Sequence, residues 1–323
     1  MALIHDPTLN RARPLRAYHL FGRAAEKVDS PVDVPMASRV HAAMGWVDGQ
    51  WFVRDMSSNG TWLNGEKLRK NHTEIVNEGD RLCFGDPQGD EWRMLDLAEP
   101  QSLLIDTENP DSEIVLEEYT FIPDEREPSA VAVFSPAGGN WTLQDVAEQN
   151  PGADQHLGHG NIIDCAGRSW QVFLAESESA TYKIDSAEQG LSQYEFVFRM
   201  SLDEENTLLE VHTDGDTIDL GDRTHHYLLA HLARKRAADA AEGLDDASQG
   251  WIDTEQLCRD LGLELSHANI QIFRARKQFA KAVSAPLDPD ALVERGKGRV
   301  RFGGKRLKVY KGESLGFSLP AEG

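Results

Sequence analysis

Three cysteines in 323 residues, Cys83, Cys165 and Cys258, are too few and too far apart for a disulfide framework or a zinc knuckle. Each is expected to pack as a small hydrophobe in a reducing compartment. No apolar run approaches the roughly 20 residues of a membrane helix. The N-terminus, MALIHDPTLNRARPLRAYHLFG, lacks the apolar core and small-residue cleavage site of a secretory signal. A cytoplasmic protein with no membrane partner is expected. Positive charge is scarce too: 33 Lys and Arg against 54 Asp and Glu give a net −21, which argues against generalised binding to nucleic acid or membrane. A P-loop, a dinucleotide glycine run and any nucleophile–base arrangement are all missing. No enzyme is expected, and no catalytic residue, cofactor or metal is assigned. His156 and His159, near Asp154 and Asp164, sit in a glycine-rich stretch without Cys or a helical His pair, which is poor ground for a metal.

The charge that is present is unevenly spread. Asp96 to Glu127 holds eleven acids and one cation, Arg126. Ser266 to Val283 holds four cations and no acid, and Glu294 to Lys311 eight cations and one acid. An acidic middle and a basic end imply separate functional surfaces. The expected organisation is a β-rich domain over 1–100, an acidic, proline-punctuated linker over 101–128, a β-rich module over 129–203 and an α+β domain over 204–323. In the linker, Thr107 is an acid-flanked threonine open to a kinase, with an unmodified residue as the plainer alternative.

Over the first hundred residues the pattern is short strands. AAMGWVDGQWFVRDM has two apolar runs joined through Asp48-Gly49, a strong hairpin signal. EIVNEGDRLCFGD repeats the style, and no segment of helical period is present. An all-β sandwich follows. The stretch SSNGTWLNG, Ser57 to Gly65, packs two Asn-Gly pairs among hydroxyls. A phosphothreonine carries nearly two negative charges and three acceptor oxygens, so its site needs a fixed cation and several short donors. Arg23, Ser38, Arg39 and Ser58 are those residue types, all where loops should fall.

Four pieces in order, Gly22-Arg23, Ser38-Arg-Val-His41, SSNGTWLNG and EGDRLCFG, resemble the forkhead-associated (FHA) domain over roughly residues 15 to 100. FHA domains are β-sandwiches whose loops bind phosphothreonine peptides. The resemblance implies that Arg23, Ser38 and Ser58 contact the phosphate, with Arg39 a further donor, and that Asn59 holds the peptide backbone. It implies that His41, Thr61 and Asn64 brace the loops and that Gly22 permits the turn presenting Arg23. Met36 falls where family members tune the choice of residue three after the phosphothreonine. The implied partner is a phosphothreonine-containing protein, such as a Ser/Thr kinase or its substrate.

In the middle module, WTLQD (141–145) echoes WFVRD (51–55), and GNIIDCAGRSWQVFLAE echoes GDRLCFGDPQGDEWRMLDLAE. Two readings stand: a degenerate FHA-like repeat without a phosphate site, or short tryptophan-bearing strands that look alike.

After a hairpin-like start, TLLEVHTDGDTIDLG, the last 120 residues change to helical period. RTHHYLLAHLARKRAADAAEG puts Leu228, Leu229 and Leu232 on one face; IDTEQLCRDLG is capped by Asp253 or Thr254; SHANIQIFRARKQFAKAV is capped by Ser266. RVRFGGKRLKVYKGESLGFSL is expected as a two-stranded ribbon turning at Gly303-Gly304. Helix, helix, basic helix and basic hairpin is the order of a winged helix. NIQIFRARKQF with LVERGKGRVRFGGKRLKV resembles the DNA-binding domain of OmpR/PhoB-type response regulators over 207 to 312, although no receiver domain precedes it. At 100° per residue, Gln271, Arg274, Gln278 and Lys281 share one side of the third helix. With Arg276 and Lys277 from that helix and Arg299, Arg301, Lys305 and Arg306 from the wing, they are the expected contacts to double-stranded DNA. The expectation is a bacterial, phosphorylation-responsive transcriptional regulator. The alternative is a signalling scaffold whose C-terminal domain docks a protein or the chain's own other domains.

Overall fold

The computed structural model describes residues 1–135, 139–147, 154–176, 191–283 and 290–320. Parts of the expected middle module, 136–138, 148–153 and 177–190, lie outside the described residues. The chain divides into two compact units. One is Met1–Leu116 with Gly158–Ile163 and Trp170–Ala180; the other is Glu117–Leu157 with Asp164–Ser169 and Thr181–Gly323. The whole is β-rich and multi-sheeted with few helices. No described helix is long and apolar enough to cross a membrane.

The N-terminal sandwich is built from eleven strands: β1 Leu3–Asp6, β2 Arg11–Pro14, β3 Tyr18–Gly22, β4 Ser30–Pro31, β5 Ala42–Val47, β6 Gln50–Asp55, β7 Thr61–Leu63, β8 Glu66–Lys67, β9 Thr73–Ile75, β10 Arg81–Phe84 and β11 Trp92–Asp96. They form two sheets, β2-β1-β11-β10-β7-β8 and β4-β3-β5-β6-β9. Alternation explains the two faces: in β6, Trp51, Val53 and Asp55 are buried while Gln50 and Arg54 are exposed. The β5–β6 hairpin turns on Asp48 and Gly49, both at positive φ, and pairs Trp46 with Trp51. Ile4, Phe21, Met44, Val53, Leu82, Phe84 and Trp92 belong to one apolar cluster drawn from both sheets. Phe21 stacks on Phe84 at 5.0 Å, and Trp92 meets Phe21 edge-on at 5.5 Å. Each such side chain stabilises the sandwich by roughly 1.5–3 kcal/mol through burial, and together they fix the strand ends that carry the loops.

The segment expected as an acidic linker over 101–128 is folded. It holds β12 Leu103–Asp106, β13 Glu113–Val115 and β14 Tyr119–Ile122. Its acids alternate with, or flank, short buried runs: Leu103 and Leu104, and then all of Tyr119 to Ile122. Five more strands follow: β15 Ala130–Ser135, β16 Asn140–Asp145, β17 Gln155–Leu157, β18 Ile162–Cys165 and β19 Arg168–Phe173. Their pairing order is β13-β12-β19-β18 and β14-β15-β16-β17. That is the order β2-β1-β11-β10 and β3-β5-β6-β9 of the first domain, strand for strand. The registers agree as well. Phe21 pairs with Ala42 and Ala42 with Asp55 in the first set; Ile122 pairs with Ala130 and Ala130 with Asp145 in the second. Asp6 turns the chain after β1 by accepting from the N–H groups of Thr8 and Leu9, and Asp106 does the same for Glu108 and Asn109 after β12.

The C-terminal part begins with β20 Glu195–Met200, β21 Thr207–His212 and β22 Thr217–Asp222. It continues through α1 Thr224–Ala241, β23 Ile252–Asp253, α2 Thr254–Leu261 and α3 Leu265–Val283. It ends in β24 Val293–Gly296, β25 Arg299–Phe302, β26 Leu307–Lys311 and β27 Ser314–Leu319. The Asp253 side chain caps α2 by accepting from the N–H groups of Glu255 and Gln256, and Gly262 ends the helix in the left-handed conformation. Ser266 lies inside α3 rather than capping it, because the helix begins at Leu265. The hairpin also differs from expectation. Its turn is Lys297-Gly298, both at positive φ, between β24 and β25, which pair with β23 as a three-stranded sheet. Gly303 and Gly304 instead lead from β25 into β26, which runs parallel to β20 in a second sheet, β22-β21-β20-β26-β27. They are glycines because a Cβ would fall 1.7 Å from the Ala291 carbonyl oxygen at Gly303 and 2.5 Å from the Phe302 ring at Gly304.

The helices are tied together by a polar pin. His225 Nε2 and His226 Nε2 lie 2.6 and 2.8 Å from Gln278 Oε1, and Gln278 Nε2 donates to the Leu220 carbonyl at 2.7 Å. Burial drives the His225 pKa down to about 4 and lowers that of His226. Because both folded values lie below the unfolded value near 6.5, their contribution is intact above about pH 6.5 and is lost as pH falls toward 4. Denaturant midpoints for the C-terminal part should be flat from pH 8 to 7 and fall between pH 6 and 4, read by near-UV circular dichroism. A flat acid limb would contradict the pin.

Candidate functional site

The loops after β3, before β5 and after β6 meet at one end of the N-terminal sandwich, and backbone hydrogen bonds dictate how. Arg23 N–H donates to the Ser38 carbonyl at 2.9 Å, Ala24 N–H to the Arg39 carbonyl at 3.1 Å and His41 N–H to the Phe21 carbonyl at 2.7 Å. This close approach explains Gly22, where a Cβ would fall 2.3 Å from the Arg39 carbonyl oxygen. Gly85, at φ +81°, allows the same kind of approach to the Met36 backbone.

His41 is the bridge between loops. Its ring is fully buried, Nδ1 accepts from Ser38 N–H at 2.9 Å, and Nε2 lies 2.9 Å from the Gly60 carbonyl. Accepting at Nδ1 leaves the proton on Nε2, which therefore donates to Gly60. Burial lowers the His41 pKa, in keeping with this neutral form. The SSNGT turn is held from within. Ser57 Oγ accepts from Gly60 N–H at 2.7 Å, and Asp55 Oδ1 accepts from Thr61 Oγ1 at 2.8 Å and from Ser57 N–H at 3.1 Å. The second wall is Asn64, whose amide bonds Asp80 at 2.8 Å and whose oxygen accepts from Arg81 N–H at 3.0 Å.

On this frame Arg23, Arg39 and Ser58 are exposed and Ser38 and Asn59 partly so. Ser58 N–H donates to Ser38 Oγ at 3.1 Å, which brings two of the expected phosphate contacts into one contact pair. Asn59 Nδ2 donates to the Met36 carbonyl at 2.7 Å, and the Met36 side chain is open to solvent. Exposed cations, two hydroxyls and a side-chain amide gathered on one loop end can hold a dianionic phosphate ester. Sequence reasoning passed over Asp55, Ser57, Asp80 and Gly85, which brace the site through contacts a linear motif does not display. It also passed over Lys67, whose Nζ lies 5.1 Å over the Trp62 ring and whose chain fills the space a Cβ at Gly60 would take.

An all-β sandwich of two sheets with a donor-lined loop end is the class of architecture these residues build. The FHA domain family matches residues 19–85, so this part of the chain is an FHA domain. A 38-residue stretch is 45% identical to the serine/threonine-protein kinase RAD53 of Saccharomyces cerevisiae, covering 12% of this chain. That stretch spans only 5% of the kinase's length. Two of the similar solved structures illustrate the likeness. The N-terminal FHA domain of S. cerevisiae Rad53p in complex with a phosphothreonine peptide is 24% identical, covering 29% of this chain and 91% of that one, with a TM-score of 0.26. Mycobacterium tuberculosis EmbR in complex with a low-affinity phosphopeptide is 27% identical, covering 29% of this chain and 24% of that one, also at 0.26.

The basic end is arranged differently from the expected duplex-reading face. Arg276 is 2% exposed, bonds the Val293 carbonyl and pairs with Asp290 at 2.6 Å. Gln278 is the pin described above. Arg301 is 9% exposed and forks onto Glu294 at 2.6 and 2.9 Å. These three are internal ties, each held by acceptors within the chain. Gln271 meets Thr224 at 3.4 Å, Arg274 donates to the Glu125 carbonyl at 2.6 Å, and Lys277 pairs with Glu125 at 2.7 Å and Glu117 at 3.4 Å. Lys305 pairs with Asp246 at 2.7 Å. Lys281, Arg299 and Arg306 are exposed, with Arg299 over the Trp251 ring at 5.7 Å. From Ala268 to Ala280 no residue of α3 is exposed. Of the histidine-rich stretch, His159 Nδ1 accepts from Leu174 N–H and Asp154 accepts from Gln144. Among the described residues no His, Cys, Asp or Glu group is spaced to hold a metal.

His41→Ala should remove both loop ties and leave the Ser38 N–H and Gly60 carbonyl without this partner. The expected cost is about 1–3 kcal/mol of domain stability, with weaker phosphopeptide binding, measured by urea unfolding and fluorescence anisotropy. Unchanged stability and affinity would contradict the bridging role.

Proposed function

We propose that this chain is a signalling scaffold rather than an enzyme. In this reading the FHA domain captures a phosphothreonine-bearing partner protein, and the C-terminal winged-helix-like part serves protein contacts, not duplex DNA. The observation that carries the first half is the Arg23–Ser38–Ser58–Asn59 loop end on its His41 and Thr61 frame. The second half is supported by α3, whose residues from Ala268 to Ala280 are all buried or partly buried. A groove-reading helix needs one open face of long donors toward base edges.

A transcriptional regulator is the second reading. The order β23-α2-α3-β24-β25 is that of a winged helix, and Lys281, Lys297, Arg299 and Arg306 stay open to solvent near its end. Those cations would neutralise phosphates without reading sequence, giving weak and salt-steep binding.

The decisive experiment on the first half compares phosphothreonine, phosphoserine and unmodified peptide libraries on the full chain. Phosphothreonine peptides should be retained selectively. Arg23→Ala should weaken them by about 1.5–3 kcal/mol, roughly ten- to a hundredfold, and Ser58→Ala by less. Equal retention of all three libraries, or indifference to Arg23→Ala, would refute the phosphate reading.

A further inference from the structure

The strand pairing that carries the phosphate loops in the first domain occurs again over residues 103–173, and the matched registers allow a position-by-position comparison of the loops. Phe21 corresponds to Ile122, so Arg23 corresponds to Asp124. His41 N–H donates to the Phe21 carbonyl, and Ser129 N–H donates to the Ile122 carbonyl at 2.7 Å; Ser129 therefore stands where His41 does. Met56 N–H donates to the His41 carbonyl and Val146 N–H to that of Ser129, which matches Val146 to Met56. The long loop 23–40 has shrunk to 124–128. The fixed cation, the hydroxyl of Ser38 and the buried histidine are all gone. In their place Asp124 closes a tight acidic turn, its carboxylate accepting from the N–H groups of Arg126 and Glu127 at 2.7 and 3.2 Å.

Beside this remade turn, the face of β14 and β15 that carries Tyr119, Phe121, Val131 and Val133, opposite the face of Ile122 and Ala130, is covered by α3, and these elements belong to the same compact unit. Tyr119, Phe121, Val131, Val133 and Val146 form one apolar cluster with Ile270, Phe273 and Ala280. Around the cluster three side chains of the helix, cationic or amide, donate to acceptors on the repeat. Asn269 Nδ2 donates to the Val146 carbonyl at 2.8 Å, Arg274 to the Glu125 carbonyl at 2.6 Å, and Lys277 to Glu125 at 2.7 Å with Glu117 3.4 Å away. Lys277 also lies 5.7 Å over the Phe121 ring. The helix is built for two neighbours. Ala268, Ile272, Ala275 and Phe279 enter the core shared with α1 and β20, while Ile270, Phe273 and Ala280 make a second apolar stripe. Phe273, 2% exposed, has no use on a groove-reading face.

We propose that the second repeat is a phosphate-independent helix-docking domain, whose ligand is the basic amphipathic helix α3 of its own chain. Its acidic clasp is Glu117 and Glu125, one on each side of β14 in sequence, both paired with Lys277. This assignment does not rest on phosphothreonine recognition by the first domain.

The test uses the full chain and a charge swap, read by amide hydrogen exchange. Glu117→Lys with Glu125→Lys should speed exchange in 119–133 and 269–281 by about tenfold, while α1 keeps its slow exchange. Adding Lys277→Glu to that variant should restore slow exchange in both segments. Unchanged exchange, failure of the swap to restore it, or simultaneous opening of α1 would overturn the assignment. Opening of α1 would make the contact part of the C-terminal core and not a docked ligand. In parallel, Glu117→Gln with Glu125→Gln should bind a short DNA duplex no better than the native chain. A gain of about tenfold would overturn the assignment by making the repeat a gate over a DNA-reading helix.

Discussion

A helix with two apolar stripes has to be buried twice, and α3 is that helix. Ile272 and Phe279 on one side and Ile270 and Phe273 on the other are all buried. The burial of each is worth roughly 1.5–3 kcal/mol. The cations between the stripes then have no choice but to find partners inside the chain: Arg276 takes Asp290, and Lys277 takes Glu117 and Glu125. Half of the cations that looked like a nucleic-acid footprint, Arg276, Lys277, Arg301 and Lys305, are therefore paired with the chain's own acids. The charge asymmetry of the sequence, acidic in the middle and basic at the end, is at least partly an internal match.

The FHA end is organised by the opposite logic. There, buried groups satisfy one another so that the surface donors are left free. His41 joins Ser38 to Gly60, Asp55 joins Ser57 to Thr61, and Gly22 lets two loops approach to hydrogen-bond distance. Arg23, Arg39 and Ser58 remain at the rim. A site prepared in this way loses little conformational freedom when an anion arrives, which is how short loops reach useful affinity. In the second repeat the same scaffold has lost that preparation at Arg23, matched by Asp124, and at His41, matched by Ser129, while Asp55 keeps its counterpart in Asp145, which accepts from Ala147 N–H as Asp55 does from Ser57 N–H.

Much of the first domain was legible because turn chemistry is local. Asp48-Gly49, Asn64-Gly65 and the alternation of WFVRD each announce their conformation within a few residues. The residues that brace the site were less legible, since Asp55 and Asp80 matter through partners six to sixteen positions away. The strands of 101–128 were hidden by their acids: charge suggested a linker, yet the short buried runs Leu103-Leu104 and Tyr119 to Ile122 between those acids form strands. Trp51 and Trp141 showed the repeat faintly, whereas paired registers show it residue by residue. At the C-terminal end, 100° periodicity put Gln271, Arg274, Gln278 and Lys281 on one side of α3 and treated that side as open. Periodicity along one element says nothing of a second partner distant in sequence. The same blindness put the hairpin turn at Gly303-Gly304, where glycine answers the crowding of Ala291 and Phe302 and not a reversal of the chain.

The most direct test of the whole account is a titration of the full chain with a phosphothreonine peptide, followed by backbone amide NMR. Shifts confined to Arg23, Ser38, Ser58, Asn59 and their neighbours, with residues 124–129 unmoved, are the predicted outcome. Shifts centred on 124–129, or none at the FHA loops, would contradict it.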